Sequence, residues 1–252
     1  MEKEFSFRFF VFVFFVFTRI ISINSQTTSE IKDYYKLFDS IVGHGNIGIY
    51  DGTEHIVEYV TLKGNHQYYF TSDYLVGDVI YDDQPYYDIQ MKYDIYNDEL
   101  IVRLPNGLAF IVIELIKEKV KSFSLNNTQF NRIAVTNKVN LVEENYGFCE
   151  LLYKSDHLSL YKKHKKLRTY HLDKEFAYNK FNYKNEYLIY YKDKYHDIKS
   201  KRTFIQLFPE HRKQINSFFN KNKILFKSDY EMFIMYLMKS LSKNIADNKK
   251  VS

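Results

Sequence analysis

The chain of 252 residues has no tryptophan, one cysteine, three prolines and eight glycines. Its lone cysteine, Cys149, excludes any intrachain disulfide, so stability must come from a packed core. No cysteine follows the N-terminal apolar run, which excludes a lipid-modified N-terminal cysteine. Cys149 sits between Phe148 and Glu150 in a strand-like run and reads as a buried, inert thiol rather than a nucleophile. There is no G-x-S-x-G elbow, P-loop, HExxH or paired Cys/His spacing, so no named catalytic or zinc chemistry is spelled out. Beyond residue 25 no stretch is long and apolar enough to span a bilayer.

What is present begins with an address. Phe9 to Phe17 is an unbroken aromatic and Val run, with Lys3 and Arg8 before it and Arg19 after it. The polar stretch from Asn24 to Thr28 follows. This is the layout of a secretory signal peptide over residues 1–25, with cleavage expected between Ser25 and Gln26. An uncleaved anchor fits less well, because a spanning helix needs about 20 apolar residues and this run is bounded by two arginines. The expected localisation is therefore export.

The remainder fits one domain with a small appendage: residues 26–205 as a β domain and 206–252 as a helical appendage packed on it. Tyr and Phe together dominate a chain that is 45% hydrophobic and 18% aromatic, a composition suited to half-buried pleated surfaces. Residues 28–42 read as a helix, with Ile31, Tyr34, Tyr35, Phe38, Ile41 and Val42 on one face. From Gly48 the period becomes two. In 86–96, Tyr87, Ile89, Met91, Tyr93 and Ile95 share one face, and Asp88, Gln90, Lys92 and Asp94 take the other. Turns at Asn97-Asp98 and Pro105-Asn106-Gly107 separate this strand from 100–102 and 108–113. Further strands are expected at 56–62, 77–82, 118–124, 130–135, 147–153, 158–162, 167–172, 187–191 and 195–198. Pro209 opens a helix carrying Ile215, Phe218 and Phe219, and Ser228 with Glu231 spells a capping box for a second. The fold class is α+β, mainly β: an antiparallel meander, curled or barrel-like, with an N-terminal helix and two C-terminal helices.

Several patterns invite function and are outweighed by plainer readings. Gly43-His44-Gly45-Asn46-Ile47-Gly48 spells GxGxxG, but a helix precedes it and a strand follows, the reverse of a dinucleotide loop, and Tyr68 stands where a ribose-binding carboxylate is sought. It reads as a turn, and no cofactor is expected. Asp78, Asp82, Asp83, Asp88, Asp94, Asp98 and Glu99 lack the spacing of a calcium loop and suit turns. The histidines at 44, 55, 66, 157, 164, 171, 196 and 211 form no ligand set, so no metal is expected.

Charge carries the one candidate site. Residues 26–148 hold 10 Lys/Arg against 18 Asp/Glu, and residues 149–252 hold 23 against 11. Within the basic half, Lys162, Lys163, Lys165, Lys166 and Arg168 form a run, followed by Lys199, Lys201 and Arg202. These eight residues are the candidate contact for a polyanion, an anionic envelope component or an acidic protein. The plain alternative is a solvated hairpin whose lysines blunt an edge strand. Export disfavours nucleic acid as the partner. The oligomeric state is left open.

Tyr50-Asp51-Gly52, Gly64 with Tyr68-Tyr69, Gly77-x-Val79-x-Tyr81, and the run from Tyr87 through Met91 and Tyr93-Asp94 to Leu100 carry a resemblance. So do Tyr187 to Tyr195, Lys199-Ser200-Lys201 and Leu207-Phe208-Pro209. The chain resembles a family of uncharacterised exported β-rich proteins from Bacteroidota. The resemblance implies a Gram-negative envelope location and brings no activity. The resulting expectation is an exported, non-enzymatic envelope binding or structural protein. The alternative is a hydrolase acting on cell-envelope sugar or lipid, with carboxylates gathered from separate strands.

Overall fold

The computed structural model describes residues 30–37, 47–136, 143–173 and 176–251. The expected signal peptide and the Gly43 to Asn46 turn lie outside them. A helix, α1, occupies residues 30–37. Among the described residues thirteen strands follow: β1 (Gly52–Glu54), β2 (Leu75–Tyr81), β3 (Gln84–Asp94), β4 (Glu99–Asn106), β5 (Ala109–Leu115), β6 (Val120–Leu125), β7 (Thr128–Thr136), β8 (Glu143–Lys154), β9 (Leu158–Lys163), β10 (Lys166–Leu172), β11 (Ala177–Tyr183), β12 (Glu186–Tyr191) and β13 (Lys194–Asp197). The helices α2 (Lys201–Leu207), α3 (Arg212–Lys221), α4 (Lys223–Ser228) and α5 (Tyr230–Val251) come last.

Eleven strands form one antiparallel sheet in the order β1-β5-β4-β3-β2-β6-β7-β8-β9-β12-β13, and β10 and β11 pair only with each other. The sheet is curled and does not close into a barrel. Register shifts in the β2–β3, β2–β6, β7–β8 and β8–β9 pairings supply the bending. Two-residue turns with both φ angles positive join β2 to β3 (Asp82-Asp83), β6 to β7 (Asn126-Asn127) and β12 to β13 (Lys192-Asp193). That hand of turn matches the twist of paired strands.

Two cores result. Under the curl of β2 to β8, Tyr93, Phe123, Phe130 and Phe148 are fully buried, with most ring centroids 4.8 to 5.8 Å apart. Edge-to-face geometry predominates among them, as expected of ring quadrupoles. The second core lies between the sheet and the helices. Leu158 and Leu160 of β9 and Ile189 and Tyr191 of β12 meet Phe204, Phe208, Ile215, Phe233, Leu237 and Leu241. The helices therefore cover the far part of the sheet.

Four local expectations change. Segment 56–62 forms no strand; it runs as a strap that meets β11 through a parallel bridge from Thr61 to Asn179 and through the Tyr59 ring against Phe181. β1 and β11 are strands where none was expected. In β3, Gly77 pairs with Ile89 but Val79 pairs with Tyr86, so Tyr87 and Asp88 bulge, with Asp88 at φ 54°. The bulge turns Tyr86 into the core and Tyr87 out against Tyr35 of α1. α1 docks by polar contacts: Lys32 reaches Asp88 at 3.0 Å and Asp78 at 3.4 Å, and Lys36 pairs with Asp88, while Ile31, Tyr34 and Leu37 stay exposed.

At the C-terminus, α3 and α5 are the two expected helices, with α2 before them and α4 between. The cap of α5 is displaced by one residue: Ser228 ends α4, and Asp229 Oδ1 accepts the Met232 N–H at 2.9 Å. Asp229→Ala should remove this cap and lower stability by about 1 kcal/mol, read from the midpoint of urea unfolding. An unchanged midpoint would show that the cap contributes nothing.

Candidate functional site

The structure does not bring the eight candidate cations onto one surface. Successive residues of β9 point to opposite faces, and the run is divided accordingly. Lys162 turns to the helices, where its Nζ lies 2.5 Å from Glu231, which also accepts from Tyr187 Oη at 3.2 Å. Lys163 turns the other way, into a half-sealed ion cluster. Lys165 meets Glu186 at 3.0 Å. Lys166 is buried. Arg168 is exposed but lies over the rings of Tyr59 and Tyr96, at 4.9 and 5.5 Å from their centroids. Lys199 is exposed beside Asp197 at 3.7 Å, Lys201 lies over Phe219, and Arg202 is exposed. The expectation of a single basic patch is thus corrected for Lys162, Lys163 and Lys166, whose charges are used inside the molecule.

The cluster around Lys163 centres on Asp98, which closes the β3–β4 connection at φ 63°. Lys163 and Lys117 both pair with its carboxylate. Tyr93 Oη donates to it at 2.6 Å and the Phe148 N–H at 3.4 Å. Gly147 has φ 68°, and a β-carbon there would overlap the Asp98 carboxylate. Glycine is needed at that position for both reasons. Burial holds the Lys163 ammonium below its usual pKa, with Asp98 opposing the fall. The neighbouring Cys149 is buried as expected, and burial pushes its thiol up to about 12, which disfavours the thiolate.

A second polar layer covers the outer face of β3 to β5 and is closed by residues 55–74. Lys166 Nζ donates to the carbonyls of His66 at 2.6 Å and Tyr68 at 2.9 Å and lies over the Tyr183 ring. Burial pulls its pKa down to about 8. Asp94 is 1% exposed, and its Oδ1 accepts the N–H groups of Tyr96 and Asn97. Burial nevertheless raises its pKa to about 6. Glu99 beside it is raised as well, by burial and then by Glu114 and Asp94. His55 Nδ1 lies 2.6 Å from Glu114. His66 Nδ1 is buried without a hydrogen-bond partner, and burial lowers its pKa.

Exposed positive charge collects instead on the helices. Arg202, Arg212, Lys213, Lys221, Lys223, Lys227, Lys239 and Lys243 are all exposed, against Glu210 and Asp229. The remaining carboxylate of these helices up to Ile245, Glu231, is held by Lys162. Arg202 is among the eight candidates, while the others entered the sequence reading only through the charge balance of residues 149–252, because they are dispersed rather than consecutive. A cleft of about 820 Å³ opens between the β8–β9 and β12–β13 turns, lined by Lys154, His157, Lys192, Asp156 and Asp193 with Ile245 of α5. Its charges are mixed and set no field of one sign.

The expected turn carboxylates behave as such at Asp82, Asp83 and Asp98, whereas Asp78 and Asp88 hold α1. Among the described residues no group of three or more His, Cys, Asp or Glu is placed to hold a metal ion. No helix among them is long and apolar enough to cross a membrane. Comparison of the chain with protein-family models, curated proteins and solved structures gives no match.

Proposed function

We propose that this is an exported, non-enzymatic binding or structural protein of a bacterial envelope, of the kind its sequence resembles, which meets an anionic partner through its helical face. The observation that carries the reading is the set of exposed cations on α2, α3, α4 and α5, with few carboxylates among them. Such a face raises the local concentration of an anionic surface and is weakened by salt. The strand-borne lysines are not part of it, so changing Lys162, Lys163, Lys165 and Lys166 together to Glu tests folding rather than binding.

The experiment is co-sedimentation with anionic lipid vesicles at rising ionic strength. Each cation near an anionic surface contributes roughly 1 kcal/mol. Replacing Arg212, Lys213, Lys221 and Lys223 by Glu should therefore weaken binding on the order of a thousandfold. Wild-type protein that stays in the supernatant at low salt, or a variant that binds equally well, would overturn the reading.

The hydrolase alternative rests on Asp94, Glu99 and Glu114, carboxylates in unequal surroundings beside His55. It is the weaker reading because Asp94 is engaged in capping a turn and is covered. Turnover of envelope glycans or lipid esters that Glu99→Gln and Glu114→Gln abolish, without loss of folding, would favour it.

A further inference from the structure

We propose that the free edge of β10 pairs with β10 of a second copy of this chain, antiparallel, about a two-fold axis at Tyr170. The argument starts from where the backbone groups of β10 point. Lys184 N–H donates to the Lys165 carbonyl at 2.8 Å, and Asp173 N–H to the Phe176 carbonyl at 3.0 Å. The register runs without a shift from Lys166 opposite Tyr183 to Leu172 opposite Ala177. In such a ladder alternate residues face the partner strand. The odd-numbered residues of β10 therefore bond β11, and the even-numbered ones turn their N–H and C=O groups outward. Lys166 N–H uses the Ile95 carbonyl at 3.4 Å. Arg168, Tyr170 and Leu172 have no backbone partner among the described residues.

Open edges are usually guarded by proline, bulges or inward-pointing charge. β10 contains no proline and no bulge, and every residue after Lys166 is exposed. Its one charged side chain past Lys166, Arg168, is drawn back over Tyr59 and Tyr96 and does not guard the edge. Tyr170 and Leu172 are 66% and 77% exposed, an apolar surface that a neighbouring strand would cover.

The occupant follows from the register. With the axis at Tyr170, Tyr170 faces Tyr170 and Arg168 faces Leu172 of the second copy, so each free backbone group finds a partner. An axis at Thr169 would set Leu172 against Lys166, whose N–H is already taken, and an axis at His171 would carry Arg168 past the end of the strand. On the other face Thr169 meets His171 and Leu167 meets Asp173, so no like charges are opposed. An isologous contact of this kind closes on itself as a dimer.

The test is sedimentation velocity over a wide range of protein concentration. The wild type should convert from monomer to dimer as concentration rises. Because Tyr170 opposes itself, Tyr170→Lys and Tyr170→Glu should each remain monomeric at low salt, and an equal mixture of the two should dimerise. The side chain is exposed, so both variants should keep the wild-type circular dichroism. A wild type that stays monomeric throughout, a Tyr170→Lys protein that still dimerises, or a mixture that does not, would overturn the proposal.

Discussion

Asp98→Asn is expected to lower the free energy of unfolding by about 3–5 kcal/mol, the range for removing one partner of a buried ion pair. Asn tolerates the positive φ of this position and can still accept from Tyr93 Oη and the Phe148 N–H, so the substitution isolates the charge. What it leaves behind is Lys163, mostly buried, and Lys117, both without their carboxylate. Adding Lys163→Met should recover part of the loss, because the charge that was stranded is gone. Urea denaturation of the two variants measures both numbers. A loss under about 1 kcal/mol in the single variant would mean that water reaches the cluster and screens it, as at surface pairs.

The second large effect is a dependence of stability on pH that arises inside the polar layer. Burial raises Asp94 to about 6, so the folded protein holds this proton where the unfolded chain has released it. Stability must then fall as pH rises from about 4 to 6, by about 3 kcal/mol, and stay lower above that range. Lys166 acts in the opposite sense. Burial lowers it to about 8, so the unfolded chain binds the extra proton between about 8 and 10.5, and stability rises through that window. Between about 6 and 8 both groups are charged in the folded state, and their joint contribution is at its least favourable. Asp94→Asn keeps an oxygen for the Tyr96 and Asn97 N–H groups, so it should remove most of the fall between about pH 4 and 6 without breaking the turn; Glu99, also raised by burial, keeps a smaller fall of the same sign. Urea midpoints measured across this range for the wild type and the variant decide it. A slope that the substitution leaves undiminished would assign the effect to other groups.

The meander was legible because its period-two runs are long and its turns are marked. Asn97-Asp98 falls at the β3–β4 connection, whereas Pro105 and Asn106 are still paired at the end of β4 and the turn itself is Gly107-Leu108. The helical end was legible from Ile215, Phe219, Phe233 and Leu237, all of which reach the second core. The strap at 56–62 was misread because Val57, Tyr59 and Val60 carry strand propensity, while its actual anchors are single contacts such as His55 with Glu114 and Asn179 N–H with the Val60 carbonyl. The bulge at Tyr87-Asp88 could not be seen, since nothing in an alternating sequence announces an extra residue. The candidate site suffered most. A run of lysines is uniform in sequence, yet strand alternation sends Lys162 to Glu231 and Lys163 to Asp98. The partners that decide each fate lie elsewhere in the chain.

The grip of Lys166 on the carbonyls of His66 and Tyr68 has a temporal consequence. The two groups are separated by 100 and 98 residues of chain. Closing so long a loop is entropically slow, and contacts of this reach lengthen folding times. The strap can be locked only after β10 has emerged and paired with β11. A chain still being synthesised, or one being threaded through a membrane, would thus hold its first five strands without their lid. Pulse-labelled hydrogen exchange should find residues 55–74 among the last segments to gain protection.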